Sequence, residues 1–238
     1  MFCLYDPGPT RFDWPFRLLG TDVRVHPFFW ISILLLGGDQ SNPWFTIYWV
    51  AIVFVSILVH EFGHVLAMRL AGDRGHIVLW GFGGLAISDK NNYRRHRFTD
   101  VAVCAAGPAA GLLLALLVAA ISTAAGGSSQ FAFSRIAIPL WYVNLNSPHI
   151  HFVVNMLLYV NFFWSLLNLL PVFPLDGGQI TMAILGRVRA LKISVGVAVF
   201  FAGLAVVAGH INTAFLFGFC AVSSLQALQD AGRAPGRY

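Results

Sequence analysis

The chain has 238 residues, of which 58% are hydrophobic and 11% charged, with a mean hydropathy of +0.72. Soluble domains carry about 25% charged residues, so this composition excludes a soluble enzyme and predicts one membrane domain with short polar tails. The net charge of +5 then reports topology rather than nucleic-acid binding, and three scattered cysteines, Cys3, Cys104 and Cys220, exclude a disulfide framework or a thiolate metal cage.

Residues 1–25 read as a polar, proline-broken lead-in with no continuous apolar core, hence no evident signal peptide. Pro27 to Leu36 is the first apolar run. It is short for a span, which needs about 20 residues; it either extends back through Val23 and Val25 or lies tilted or half inserted. A turn cluster, Gly37 to Pro43, precedes a second helix from Trp44 to about Leu70 that opens on an aromatic interface group. His76 to Ser88 is too short and glycine-rich for a span. Two β-prone runs flank Gly81, Gly83 and Gly84, which signals a hairpin. Such backbone survives at membrane depth only where protein or water satisfies it, so the hairpin is expected to fold back beside the second helix. Lys90 to Arg97 is a basic loop. The third span, Phe98–Ala125, contains Gly107-Pro108. Gly126–His151 reads as a loop, and Phe152–Leu170 as the fourth span. Leu191–Ala208 and Ile211–Leu228 are the fifth and sixth, with a tight turn at Gly209-His210. The expected fold is an α-helical polytopic membrane protein of about six transmembrane helices with a short re-entrant β-hairpin. The expected divisions are a cytoplasmic lead-in (1–25), a membrane domain (26–228) and a cytoplasmic tail (229–238).

If six spans alternate, fourteen lysines and arginines fall on one side, and Arg135 alone on the other. The positive-inside rule then puts both termini in the cytoplasm. The end of the second span and the end of the fourth arrive on that same face.

The second helix ends in His60-Glu61-Phe62-Gly63-His64. On a helix, residues four apart project from one face, so two imidazoles can grip one zinc ion at about 2.0–2.1 Å. Glu61 lies about 100° round the helix, placed to accept a proton from metal-activated water. It is the sole glutamate in the sequence, and an unassisted carboxylate in an apolar run is expensive. The chain's own residue frequencies predict about 0.001 such motifs by chance. A structural histidine pair facing a polar cavity is the plainer alternative.

A catalytic zinc takes three protein ligands and one open position. Asp176 is the best third candidate, following a helix broken by Pro171 and Pro174 and preceding Gly177-Gly178, which permit a sharp bend. An ordinary Asp-Gly turn is the alternative. His26 reads as an interface or capping residue, His76 as the start of the hairpin and His96 as part of a solvated loop. His149, His151 and His210 fall on the opposite side. Asn168, one turn before Pro171, either holds a peptide backbone in the cavity or bonds another helix.

These residues resemble the site-2 protease family of intramembrane zinc metalloproteases. Three features carry the likeness: His60-Glu61-x-x-His64 at the end of a span, Asn168-x-x-Pro171-x-x-Pro174-Leu175-Asp176-Gly177, and the Gly81-x-Gly83-Gly84 hairpin. The resemblance implies one Zn²⁺ per chain on His60, His64 and Asp176, with Glu61 as general base and acid. Asn168 and the hairpin glycines Gly81, Gly83 and Gly84 would contact substrate. It implies endopeptidase cleavage of single-span, membrane-tethered proteins in the lipid bilayer, in a bacterial or archaeal plasma membrane, with a membrane inhibitor or regulator as a further partner. No PDZ or CBS domain is expected, as in a minimal core. The competing readings are a non-catalytic metal transporter or haem protein, and a pseudoprotease adaptor.

Overall fold

A computed structural model describes residues 6–37, 43–81, 83–89, 96–133 and 139–233. Cys3, most of the predicted turn at 37–43, the basic residues 90–95 and Arg135 lie outside them. The chain divides into two compact units, one of residues 2–93 and 106–166, the other of residues 94–105 and 167–238.

The first unit is built on helix α2 (Pro43–Leu70). Its most apolar stretch is 56% buried, against 28% and 22% for α3 (Arg97–Ala124) and α4 (Pro148–Asn168), so α2 is the central helix. Beside it lies a four-stranded sheet in the order β1-β2-β3-β4, with β1 Trp14–Leu18, β2 Thr21–Val25, β3 Gly75–Trp80 and β4 Gly83–Ser88. β3 and β4 form the predicted hairpin, closed at Gly81 with φ 57°. β2 runs parallel to β3. Flanked on both edges, β3 buries Ile77, Val78 and Leu79 completely, as expected of a strand covered on both faces.

Residues 14–25 are therefore sheet, and the expected lead-in is corrected over that stretch. The physical reason is alternation. In β2, Thr21, Val23 and Val25 are buried while Asp22 and Arg24 turn outward, the period of a half-buried strand. Pro15 is tolerated because β1 is an edge strand. The β1–β2 turn holds Leu19 at φ 48° and Gly20 at φ 72°, a left-handed pair suited to two-residue hairpins. For leucine that conformation costs about 1–2 kcal/mol.

Arg24 ties the sheet to the segment before it, pairing with Asp6 and with Asp13 at 2.7 Å. Burial alone would raise the Asp13 carboxyl; hydrogen bonds from Thr10 and Arg24 outweigh it and hold the group below its ordinary 3.8. A carboxylate lowered in the folded state contributes stability that is complete above its unfolded value and is lost as pH falls through the folded one. The β1–β2 hairpin is thus expected to loosen below pH 3.8. Limited proteolysis across residues 10–20 against pH measures this, and Asp13→Asn should remove the step.

Helix α1 (Pro27–Gly37) has 11 residues, about 16 Å of rise, roughly half of a bilayer core of about 30 Å. Val23 and Val25 do not lengthen it; they belong to β2. The core here joins Val23, Val25, Phe29, Ile33, Ile57, Val65, Ile77 and Leu79, with Trp30 and Phe54 stacked at 5.3 Å. The expected loop 126–151 instead contains an antiparallel hairpin, β5 (Ser128–Phe133) with β6 (Pro139–Asn144). Asn155 of α4 clamps β6, accepting from the Val143 N–H and donating to its carbonyl, both at 2.8 Å. That clamp has no periodic signal in the sequence.

The second unit contains the start of α3, a short helix α5 (Asp176–Leu185), and a helical hairpin of α6 (Arg187–Val207) and α7 (Ile211–Arg233) that turns at Gly209, φ 77°. Among the described residues, five helices (α2, α3, α4, α6 and α7) are long and apolar enough to cross a membrane, and α1 is a shorter apolar sixth.

A candidate metal centre on helix α2

The centre begins as backbone geometry. α2 runs unbroken through residues 60–64, so His60 and His64 stack one turn apart with ring centroids 4.9 Å from each other and planes at 78°. Their Nε2 atoms face at 3.2 Å. Two ligands on a tetrahedral ion at about 2.0–2.1 Å stand about 3.3 Å apart, so the pair already has the bite that a zinc ion takes. With Glu61, the three residues offer ligand atoms all within 4.8 Å of one another, and all three are buried. A buried cluster of two imidazole nitrogens and a carboxylate suits zinc better than calcium or magnesium, which want oxygen shells.

Two backbones close over this cluster. A methyl group added at Gly84 in β4 would stand 2.7 Å from Glu61 Oε1. The strand therefore lies directly on the carboxyl, and the hairpin is beside the triad as the sequence predicts. A methyl group added at Gly107 in α3 would stand 2.7 Å from His60 Nε2 and 2.5 Å from His64 Cε1. Only a hydrogen fits there. The close contact of α3 at Gly107 is with the imidazoles themselves.

One pair in this unit escaped the sequence reading. Asn161 of α4 donates to Ser56 of α2 at 2.8 Å, both side chains buried. Ser56 sits one turn before His60, so this bond holds α4 against the turn that carries the first imidazole. An asparagine in the middle of an apolar helix was the available signal.

The remaining predicted residues are placed as follows. Gly81 is the hairpin turn, where its positive φ requires glycine. Gly83 opens β4 with open space where a side chain would go. Asn168 is the last residue of α4 and is buried. Asp176 opens α5 in the second unit, half buried. Gly177 and Gly178 do not bend the chain sharply. They lie inside α5, buried, where added methyl groups would meet the backbone of Leu170 and of Val172 and Phe173. They let the helix pack against the turn segment leading into it. That lead-in is pinned: Ser194 of α6 accepts from the Phe173 N–H, and Ser224 of α7 bonds Ser194 at 2.8 Å and donates to the Phe173 carbonyl. The other histidines have separate duties. His26 accepts from the Phe28 N–H as a cap, His76 contacts Asp89 at 2.9 Å, and His149 contacts Tyr48.

Comparison with known proteins agrees with this geometry. The chain is 25% identical over 191 residues to a zinc metalloprotease of Methanocaldococcus jannaschii, covering 76% of this chain and 49% of that one. It is 28% identical over 197 residues to Rip3 of Mycobacterium tuberculosis, covering 76% and 45%. The chain thus spans about half the length of the curated relatives it matches. In fold it is similar to the solved structure of a site-2 protease from Methanocaldococcus jannaschii, with a TM-score of 0.56 at 20% identity, over 91% of this chain and 95% of that one. The sequence model of peptidase family M50 matches residues 48–209, a stretch that contains the histidine pair, the β3–β4 hairpin and Asp176, and the chain belongs to that family.

Proposed function

We propose that this protein is a zinc-dependent intramembrane endopeptidase that hydrolyses peptide bonds in single-span, membrane-tethered proteins. The observation that carries the proposal is the buried His60–His64 pair, with Nε2 atoms 3.2 Å apart beside Glu61, on a helix apolar enough to cross a bilayer. A transporter or haem reading gives Glu61 no task. Family membership supports the peptidase over the adaptor.

His60 and His64 would hold zinc through neutral Nε2 atoms, with Asp176 as the third protein ligand. Bound zinc supplies a Lewis acid for the scissile carbonyl and lowers the pKa of water toward about 7. Glu61 takes the proton of the attacking water and returns it to the leaving amine. Strand β4, at the sheet edge, offers backbone groups to an extended substrate by β-addition, with Gly81, Gly83 and Gly84 keeping that approach slender and Asn168 holding the peptide. A substrate helix must unwind locally before it can pair, so helix-weakening residues near the cut should be preferred. Substrates enter from the bilayer; a membrane-embedded inhibitor or regulator would compete for the same approach.

Orientation follows from α2 itself. Its last turn carries Arg69, and Arg74 follows, whereas residues 43–48 carry no basic group. The positive-inside rule puts the His60–His64 end toward the cytoplasm.

The test is reconstitution of the purified chain with a panel of tagged single-span segments. Cleavage should appear, cease with a zinc chelator and return with added Zn²⁺. Cleavage that survives chelation, or none across the panel with zinc bound, would overturn the reading.

A further inference from the structure

Away from the metal centre, a cavity of about 1200 Å³ opens between β1, β2, the start of β3 and the end of α2. Its lining is charged, and the charges are unequally matched. Arg24 is held by Asp6 and Asp13. Arg17 pairs with Asp22 at 3.5 Å, and His76 with Asp89 at 2.9 Å. Asp73 is buried and accepts from Ser88 and the Arg74 backbone. Arg69 and Arg74 are different. Arg69 donates to two neutral oxygens, the Leu19 carbonyl at 2.9 Å and the Thr21 hydroxyl at 2.7 Å. Among the described residues neither Arg69 nor Arg74 forms an ion pair.

Two exposed leucines accompany these arginines. Leu19 lines the cavity and is 76% exposed, held outward at the strained turn, and Leu70 beside Arg69 is 83% exposed. Leucine in a left-handed turn is sterically disfavoured, and a polar residue would suit an aqueous hairpin tip better. Position adds a third observation. α2 has 28 residues, about 42 Å of rise, which matches a bilayer with its headgroup layers of about 40–45 Å. The last turn of α2 therefore falls at headgroup level.

We propose that this cavity binds the phosphate of an anionic phospholipid. Arg69 and Arg74 supply the cationic fork, planar guanidinium groups suited to phosphate oxygens. Leu19 and Leu70 dip into the acyl boundary. The same sheet carries β4 against Glu61, so an occupied cavity would brace the hairpin that borders the metal centre. The site is independent of the proposed peptidase activity.

The test uses the full chain in neutral detergent, titrated by native mass spectrometry with phosphatidylglycerol, phosphatidylcholine or glycerol 3-phosphate. Phosphatidylglycerol should bind most tightly, with affinity falling as salt rises. Arg74→Gln should weaken it about fivefold and Arg69→Gln with Arg74→Gln about 25-fold, while phosphatidylcholine binding is unchanged. Leu19→Ser should weaken phosphatidylglycerol and leave glycerol 3-phosphate unaffected. Among the described residues the Arg74 side chain makes no hydrogen bond or ion pair, so Arg74→Gln serves as the control should the Arg69 variant fail to fold. Equal binding of the two lipids, or an unaltered affinity in Arg74→Gln, would overturn the proposal. So would glycerol 3-phosphate binding as tightly as the lipid with Leu19→Ser silent, which would mark a soluble phosphate ester as the ligand.

Discussion

Glu61→Gln is expected to abolish cleavage while leaving zinc bound. The amide is nearly isosteric, so β4 can remain seated at Gly84, where the fit to the side chain leaves no spare room. His60 and His64 keep their bite of 3.2 Å. What is lost is a group able to accept and return a proton, an effect of about 10²–10⁴ in rate. Asp176→Asn separates ligation from proton transfer. As a proposed ligand, Asp176 should matter to metal affinity itself, and its loss should weaken zinc binding by at least about 100-fold. Metal content by mass spectrometry, run beside a tethered-substrate assay, distinguishes the two. Full activity in Glu61→Gln would remove Glu61 from the mechanism; unchanged zinc content in Asp176→Asn would remove Asp176 from the ligand set.

The second large effect is expected from one methyl group. Gly107→Ala puts a carbon 2.7 Å from His60 Nε2 and 2.5 Å from His64 Cε1, whereas nonbonded atoms need about 3.5–4.0 Å. Either α3 retreats by about 1 Å or the imidazoles turn away. Misplacement on that scale costs about 10²-fold in rate, and zinc content should fall with it. Gly196→Ala on α6 is the matched control, since a methyl group there meets nothing within 4 Å and alanine favours the helix. If Gly107→Ala kept both metal and activity, the close approach of α3 to the histidines would have no functional weight.

The parts of this architecture that were legible in the sequence are those set by local geometry. Histidines four apart share a helix face wherever the helix is, and long apolar runs declare spans without knowledge of their neighbours. The β3–β4 hairpin was legible because β-branched runs flank a glycine cluster. β2 was equally periodic, with Val23 and Val25 alternating against Asp22 and Arg24, but its prolines and charges upstream masked it. β1 pairs with it locally, but its other partner β3 lies beyond two intervening helices, and pairing at that distance leaves no trace in one sequence. β5 and β6 lack alternation altogether. The Asn161–Ser56 bond and the serine pins on Phe173 join residues that no spacing rule links. Gly177-Gly178 carried the correct signal, a need for glycine, with the wrong cause: close packing of backbones instead of a bend.

The parallel pairing of β2 with β3 also constrains how the protein is made. Val23 meets Ile77, which leaves the ribosome 54 residues later. At about 5–20 residues per second, β2, already paired with β1, waits roughly 3–11 s for its second neighbour while α1 and α2 enter the bilayer. During that interval its edge is open to other chains. The hairpin over Glu61 gains its inner neighbour only after this wait ends, so the nascent chain passes through a stage with its first membrane helices inserted and the surroundings of Glu61 unassembled.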